Sequence, residues 1–177
     1  MIITIDIHGD TMNVKKLTKL GLMTTVALII FIIELKIPSL VPISGVKLGL
    51  ANIITIYCVY HFSVKETTLV VLSRIILGSM FSGNISTLFY SLGGSFLCLI
   101  GMFLLSKIIS EDYIWICSIF GAVLHNIGQI LVAIMITQTL AIVSYLPFLL
   151  VSGCIAGAFT GISAQMIIKK LKILNVN

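Results

Sequence analysis

Charge is scarce in this sequence. Its 177 residues include 11 Lys and Arg and only 6 Asp and Glu. From Tyr113 to Ile168 it runs 56 residues without one Asp, Glu, Lys or Arg. As one helix that stretch would be roughly 84 Å long against a hydrocarbon core of about 30 Å, so it must cross a bilayer twice. There is no sizeable soluble part, since 59% of the chain is hydrophobic. The net charge of +5 is no nucleic-acid footprint, because the lysines stand at the ends of apolar runs, where they meet lipid headgroups.

Catalytic signatures are missing too. No DDxxD-like aspartate pair exists to hold magnesium on a diphosphate, and there is no P-loop, GxSxG or HExxH. The expectation is a protein that is not an enzyme, binds no cofactor and hydrolyses no ATP itself. Acids for a proton or sodium relay are lacking, since only Glu34 lies near a span, at its outer end. Cys58, Cys98, Cys117 and Cys154 all sit in apolar stretches without a close partner, and are read as small core hydrophobes rather than disulfides or metal ligands. No secretory signal is expected, because no small-residue cleavage site follows the first apolar run.

What is present is a series of six apolar segments, at about 17–35, 46–62, 67–82, 86–106, 114–137 and 144–168. Residues 1–16 are mixed and predict a short cytoplasmic tail, although Met12 would also serve as a start. Residues 17–177 predict one all-α domain of six transmembrane helices. Pro38, Pro42 and Gly45 force an irregular first loop, and Ser82-Gly83-Asn84 breaks a charge-free run. Alternating the spans puts Lys15, Lys16, Lys19, Lys65, Lys107, Lys169, Lys170 and Lys172 on one side and Lys36 and Lys47 on the other. The positive-inside rule then places both termini in the cytoplasm.

Polar residues inside the apolar segments are the candidate site. Arg74 lies midway along the third segment, where a charge is costly and usually faces a polar interior. Its donors suit an anion or a carbonyl, or else backbone carbonyls in a purely structural role. His125, Asn126 and Gln129 share a helical face, fit either for a ligand pocket or for an interhelical hydrogen-bond net. Lys47 and Asn52 stand where the outer loop enters the second segment, Lys47 as a snorkelling anchor or as a pocket residue. A lone His without acids at ligand spacing argues against a metal. Gly153, Gly157 and Gly161 form a small-residue ridge for helix packing, and Gly21 with Thr25 a weaker one near the cytoplasmic end of the first segment.

The stretches KLGLANI (47–53), RIILGSMFSG (74–83), SLGGSF (91–96) and GAVLHNIGQILVA (121–133) resemble the Gx transporter family, also labelled heptaprenyl diphosphate synthase component I. The resemblance covers nearly all of residues 15–172. It implies an ECF S-component-like bundle, that is, the substrate-binding subunit of an energy-coupling factor transporter in a bacterial cytoplasmic membrane. Such a subunit takes up a small anionic or carbonyl-rich molecule and draws energy from a transmembrane coupling protein and two ABC ATPases. The pocket would comprise Lys47, Asn52, Arg74, His125, Asn126 and Gln129. Docking would use the Gly21–Thr25 face, which departs from the family's alanines. The family's other label implies instead a non-catalytic membrane component of heptaprenyl diphosphate or quinone biosynthesis.

Overall fold

The computed structural model describes residues 4–7, 10–37, 49–83 and 85–175. Six α-helices make up the body: α1 (Val14–Leu35), α2 (Asn52–His61), α3 (Val64–Ser82), α4 (Ile85–Ser106), α5 (Ile114–Thr137) and α6 (Leu146–Asn175). They are preceded by an antiparallel pair of short strands, β1 (Thr4–Ile7) and β2 (Asp10–Asn13), with Thr4 opposite Asn13 and Ile7 opposite Asp10. This hairpin lies within the segment expected to be a short tail. The polar–apolar alternation of Thr4-Ile5-Asp6-Ile7 has the period of a strand, not of a helix.

Among the described residues four helical stretches are long and apolar enough to cross a membrane: Val14–Leu35, Ile85–Ser106, Glu111–Thr137 and Leu140–Ile173. The other two differ in kind. Helix α2 has 10 residues, about 15 Å of rise and half a hydrocarbon core, while α3 carries Lys65, Glu66 and Arg74. Large apolar side chains cover the outside of the bundle, and the interior combines apolar clusters with a set of buried polar groups. Phe96, Phe120, Met135, Ile155, Phe159 and Met166 face outward, whereas Glu34, Asn52, Arg74, Ser95, His125 and Gln129 are buried. Cys154 also faces outward, unlike the buried Cys58, Cys98 and Cys117, so it is not the core residue expected of it.

Local chemistry sets the helix ends. Helix α3 opens with a capping box, in which the Ser63 N–H donates to the Glu66 carboxylate at 2.9 Å and the Glu66 N–H donates to the Ser63 hydroxyl. It closes on Gly83 in the left-handed conformation, φ 64°. Glu66 also pairs with Lys16, tying the start of α1 to the start of α3. Burial pushes the Glu66 carboxyl up, but Lys16 and the Ser63 backbone and hydroxyl outweigh it and hold the group below the ordinary carboxylate range. At the same end, Tyr60 donates to the Ile109 carbonyl at 3.1 Å, and Lys172 pairs with Glu111. These links gather the starts of α1 and α3 and the ends of α4 and α6 on one side, and with them the lysine-rich segments.

Helix α5 is the central element, packed most extensively against α4 and α6. Glycines set both crossings. A Cβ on Gly157 would stand 2.7 Å from the Ile119 Cα, and one on Gly161 2.5 Å from the Trp115 Cα, so α6 lies backbone-close to α5. On the other side, a Cβ on Gly94 would stand 2.8 Å from the His125 carbonyl oxygen, and one on Gly128 2.8 Å from the Gly94 Cα. A hydroxyl pair, Ser118 with Thr160 at 3.0 Å, bridges α5 and α6. With no solvent-driven force between helices in lipid, such close approach is what holds them together.

Candidate functional site

The close approach of α4 to α5 decides what the middle of the bundle contains. Opposite Gly94, whose missing side chain leaves room, lie the His125 ring and the Gln129 side chain; a Cβ there would be 2.9 Å from the His125 Cε1 and 2.9 Å from the Gln129 Cγ. One residue on, the Ser95 hydroxyl accepts from an Arg74 terminal nitrogen at 3.5 Å. Arg74 therefore reaches from α3 to the same turn of α4 that faces His125 and Gln129, and its charge acts on the His125 ring.

A carboxylate completes the group from above. Glu34, the penultimate residue of α1, is 4% exposed and accepts from the Gly49 N–H at 2.5 Å and the Leu50 N–H at 3.1 Å. Those amides lead into α2, whose own N-cap, Ala51, offers no side-chain bond. The anion of Glu34 thus supplies from another helix the cap that the local sequence lacks, where a helix favours negative charge. Gly49 permits this turn by its φ of 80°, and a Cβ there would meet Asn52 Nδ2 at 3.0 Å and His125 Cδ2 at 3.8 Å. Glu34 is also the acid whose field acts on Arg74, which is 5% exposed. Asn52, Arg74, His125 and Gln129 are thereby brought together, with Glu34 and Ser95 added.

Asn126 behaves differently from its neighbours in sequence. Its amide nitrogen donates to the Leu149 carbonyl at 2.6 Å and stands 2.5 Å from where a Cβ of Gly153 would be, so it points at α6 rather than α4. The single polar face expected for His125, Asn126 and Gln129 is split between two helix crossings. Lys47 lies outside the described residues. Four buried polar atoms have no hydrogen-bond partner among the described residues: Arg74 Nε, His125 Nδ1, Asn126 Oδ1 and Gln129 Oε1. Each is the kind of group that costs about 1–3 kcal/mol when left unmatched, so their concentration here makes this part of the bundle the candidate site.

Other features lie elsewhere. Gly21 and Thr25 are exposed on α1, and nothing stands within 4 Å of a Cβ built on Gly21. A groove of about 210 Å³ among α1, α2 and α6, lined by Met23, Val26, Ile53, Tyr57, Ala164 and Ile167, is apolar and separate from the buried polar group. Among the described residues no group of three His, Cys, Asp or Glu side chains is placed to hold a metal ion. Sequence reasoning missed Glu34, Ser95, Gly49 and Gly94. Glu34 did carry a signal, being the only acid within the first apolar segment.

A bundle of apolar helices with polar and ionisable side chains turned inward defines a helical membrane protein with an internal polar site. The chain belongs to the family described as heptaprenyl diphosphate synthase component I, whose model matches residues 23–167, most of the sequence. No curated protein and no solved structure matches it.

Proposed function

We propose that this chain is a membrane substrate-binding subunit of the S-component type, spanning the bilayer six times with both termini in the cytoplasm of a bacterium. Its site holds a small polar molecule among Asn52, Arg74, His125 and Gln129, with Glu34 and Ser95 positioning Arg74, Asn126 at the α6 edge and Lys47 at the outer entrance. The observation that carries this reading is the cluster of buried polar atoms lacking protein partners, around the turn where α3, α4 and α5 meet. Energy for accumulation comes from a separate coupling protein with two ABC ATPases, docked on the Gly21–Thr25 face. The chain itself performs no catalysis.

A test is uptake into vesicles combined with mass spectrometry of what the purified protein retains. A retained small molecule, lost in Arg74→Lys because lysine cannot reproduce the planar fork of the guanidinium, supports the reading. Accumulation by the lone polypeptide without ATP or an ion gradient refutes it. The family's name favours a second reading, a non-catalytic membrane partner of a prenyl diphosphate synthase component. Isolation of the chain with a soluble prenyltransferase and no retained small molecule would decide for that alternative.

A further inference from the structure

Arginine at the centre of a membrane site suggests an anionic ligand, but two observations point another way. The first concerns charge. Among the described residues around the site there is one guanidinium, Arg74, and one carboxylate, Glu34, and the two act on each other. Both are buried, so the field of Glu34 is felt at Arg74. A bound anion would have to approach Glu34 in a setting where charges are poorly screened.

The second concerns the polarity of the open groups. Arg74 spends a terminal N–H on Ser95 and leaves its Nε–H, a donor. The His125 Nδ1 has no partner among the described residues, and an imidazole nitrogen can serve as donor or acceptor. Gln129 leaves its amide oxygen, an acceptor. A donor beside an acceptor, with an imidazole nitrogen that can take either role, matches a carbonyl flanked by N–H or O–H groups. A carboxylate or phosphate, acceptor at every oxygen, would satisfy Arg74 and face Gln129 Oε1 with lone pairs.

We infer that the ligand is a molecule of no net charge that carries a carbonyl next to N–H donors, an amide, lactam or ureide, bound by Arg74, His125 and Gln129. This rests on the reading of the chain as a binding subunit. The test uses two pairs of probes that share a ring: uracil against orotate, and nicotinamide against nicotinate. Each is added at millimolar concentration to the full chain in lipid nanodiscs while thermal unfolding is followed, since a ligand that binds only the folded state raises Tm.

The expected result is a rise in Tm with at least one uncharged member and a smaller rise or none with its carboxylate analogue. A larger rise with the carboxylates, or equal rises within both pairs, would overturn the ligand class and leave the binding reading standing. No rise with any of the four would overturn both, the open atoms then being met by water alone. Gln129→Leu supplies a second measurement. It should abolish the response to the uncharged probes without lowering Tm in their absence, because it removes an unmatched buried acceptor. A full response retained in Gln129→Leu overturns the assignment of Gln129. If that variant does not fold, the paired probes on the unmodified chain still decide the class.

Discussion

Replacing Glu34 by Gln tests whether the carboxylate at the end of α1 offsets the charge of Arg74 and caps α2. The side chain keeps its shape but loses its charge, and an amide oxygen replaces the two carboxylate oxygens that accept from Gly49 and Leu50. Since Glu34 is 4% exposed and accepts from two backbone N–H groups while its field acts on Arg74, losing one acceptor oxygen and the charge costs about 1–3 kcal/mol. Arg74→Met alone should cost less, because the Glu34 carboxylate keeps the Gly49 and Leu50 N–H groups. The double variant, carrying no charge at either position, should recover most of the loss, because an apolar or neutral replacement of a buried pair is close to neutral. Unfolding by SDS in mixed micelles, followed through Trp115, is a suitable assay, since the single Trp lies at the α5–α6 crossing beside Gly161. Losses that add to within about 0.5 kcal/mol would show the two residues to be independent and refute the pairing.

Three further outcomes follow from the same geometry. Gly157→Leu should destabilise by about 1–3 kcal/mol or prevent folding, visible as lost monodispersity in detergent, because even a Cβ there stands 2.7 Å from the Ile119 Cα. Thr25→Trp, on an exposed face of α1, should leave Tm within about 0.5 kcal/mol equivalent of the parent and retain ligand binding. Under the proposed docking it should abolish ATP-dependent uptake in vesicles that also hold the coupling protein and ATPases, and unaltered uptake would remove this face from consideration. Finally, the Glu66 carboxyl is held low by Lys16 and Ser63, so its ionised form stabilises the fold. That contribution is complete above the ordinary glutamate value of about 4.3 and is lost as pH falls through the lower folded value. Thermal unfolding of Glu66→Gln should therefore show a flatter acid limb below about pH 4 than the parent, and identical limbs would count against the cap.

Much was determined by the sequence alone, because it depends on properties local to each segment. The charge-free runs mark where α4, α5 and α6 lie, and α5 covers residues 114–137 as the charge pattern predicts. The rarity of charge likewise singles out Arg74, and hydrophobicity separates His125 and Gln129 from their surroundings. Tertiary structure alone decided which of these polar groups meet. Helical spacing places Asn126 beside His125 and Gln129, yet a residue 100° further round a helix faces a different neighbour, and here that neighbour is α6. Glu34 reads as an outer-end residue until the chain turns at Gly49 and brings the amides of residues 49 and 50 onto its carboxylate. The Gly93-Gly94 pair has no recognisable chemistry in one dimension. Only when Gly128 of α5 crosses it does the absence of two side chains become the space in which His125 and Gln129 lie against α4. Burial of charge and contact between helices are relations among distant segments, so no local pattern encodes them.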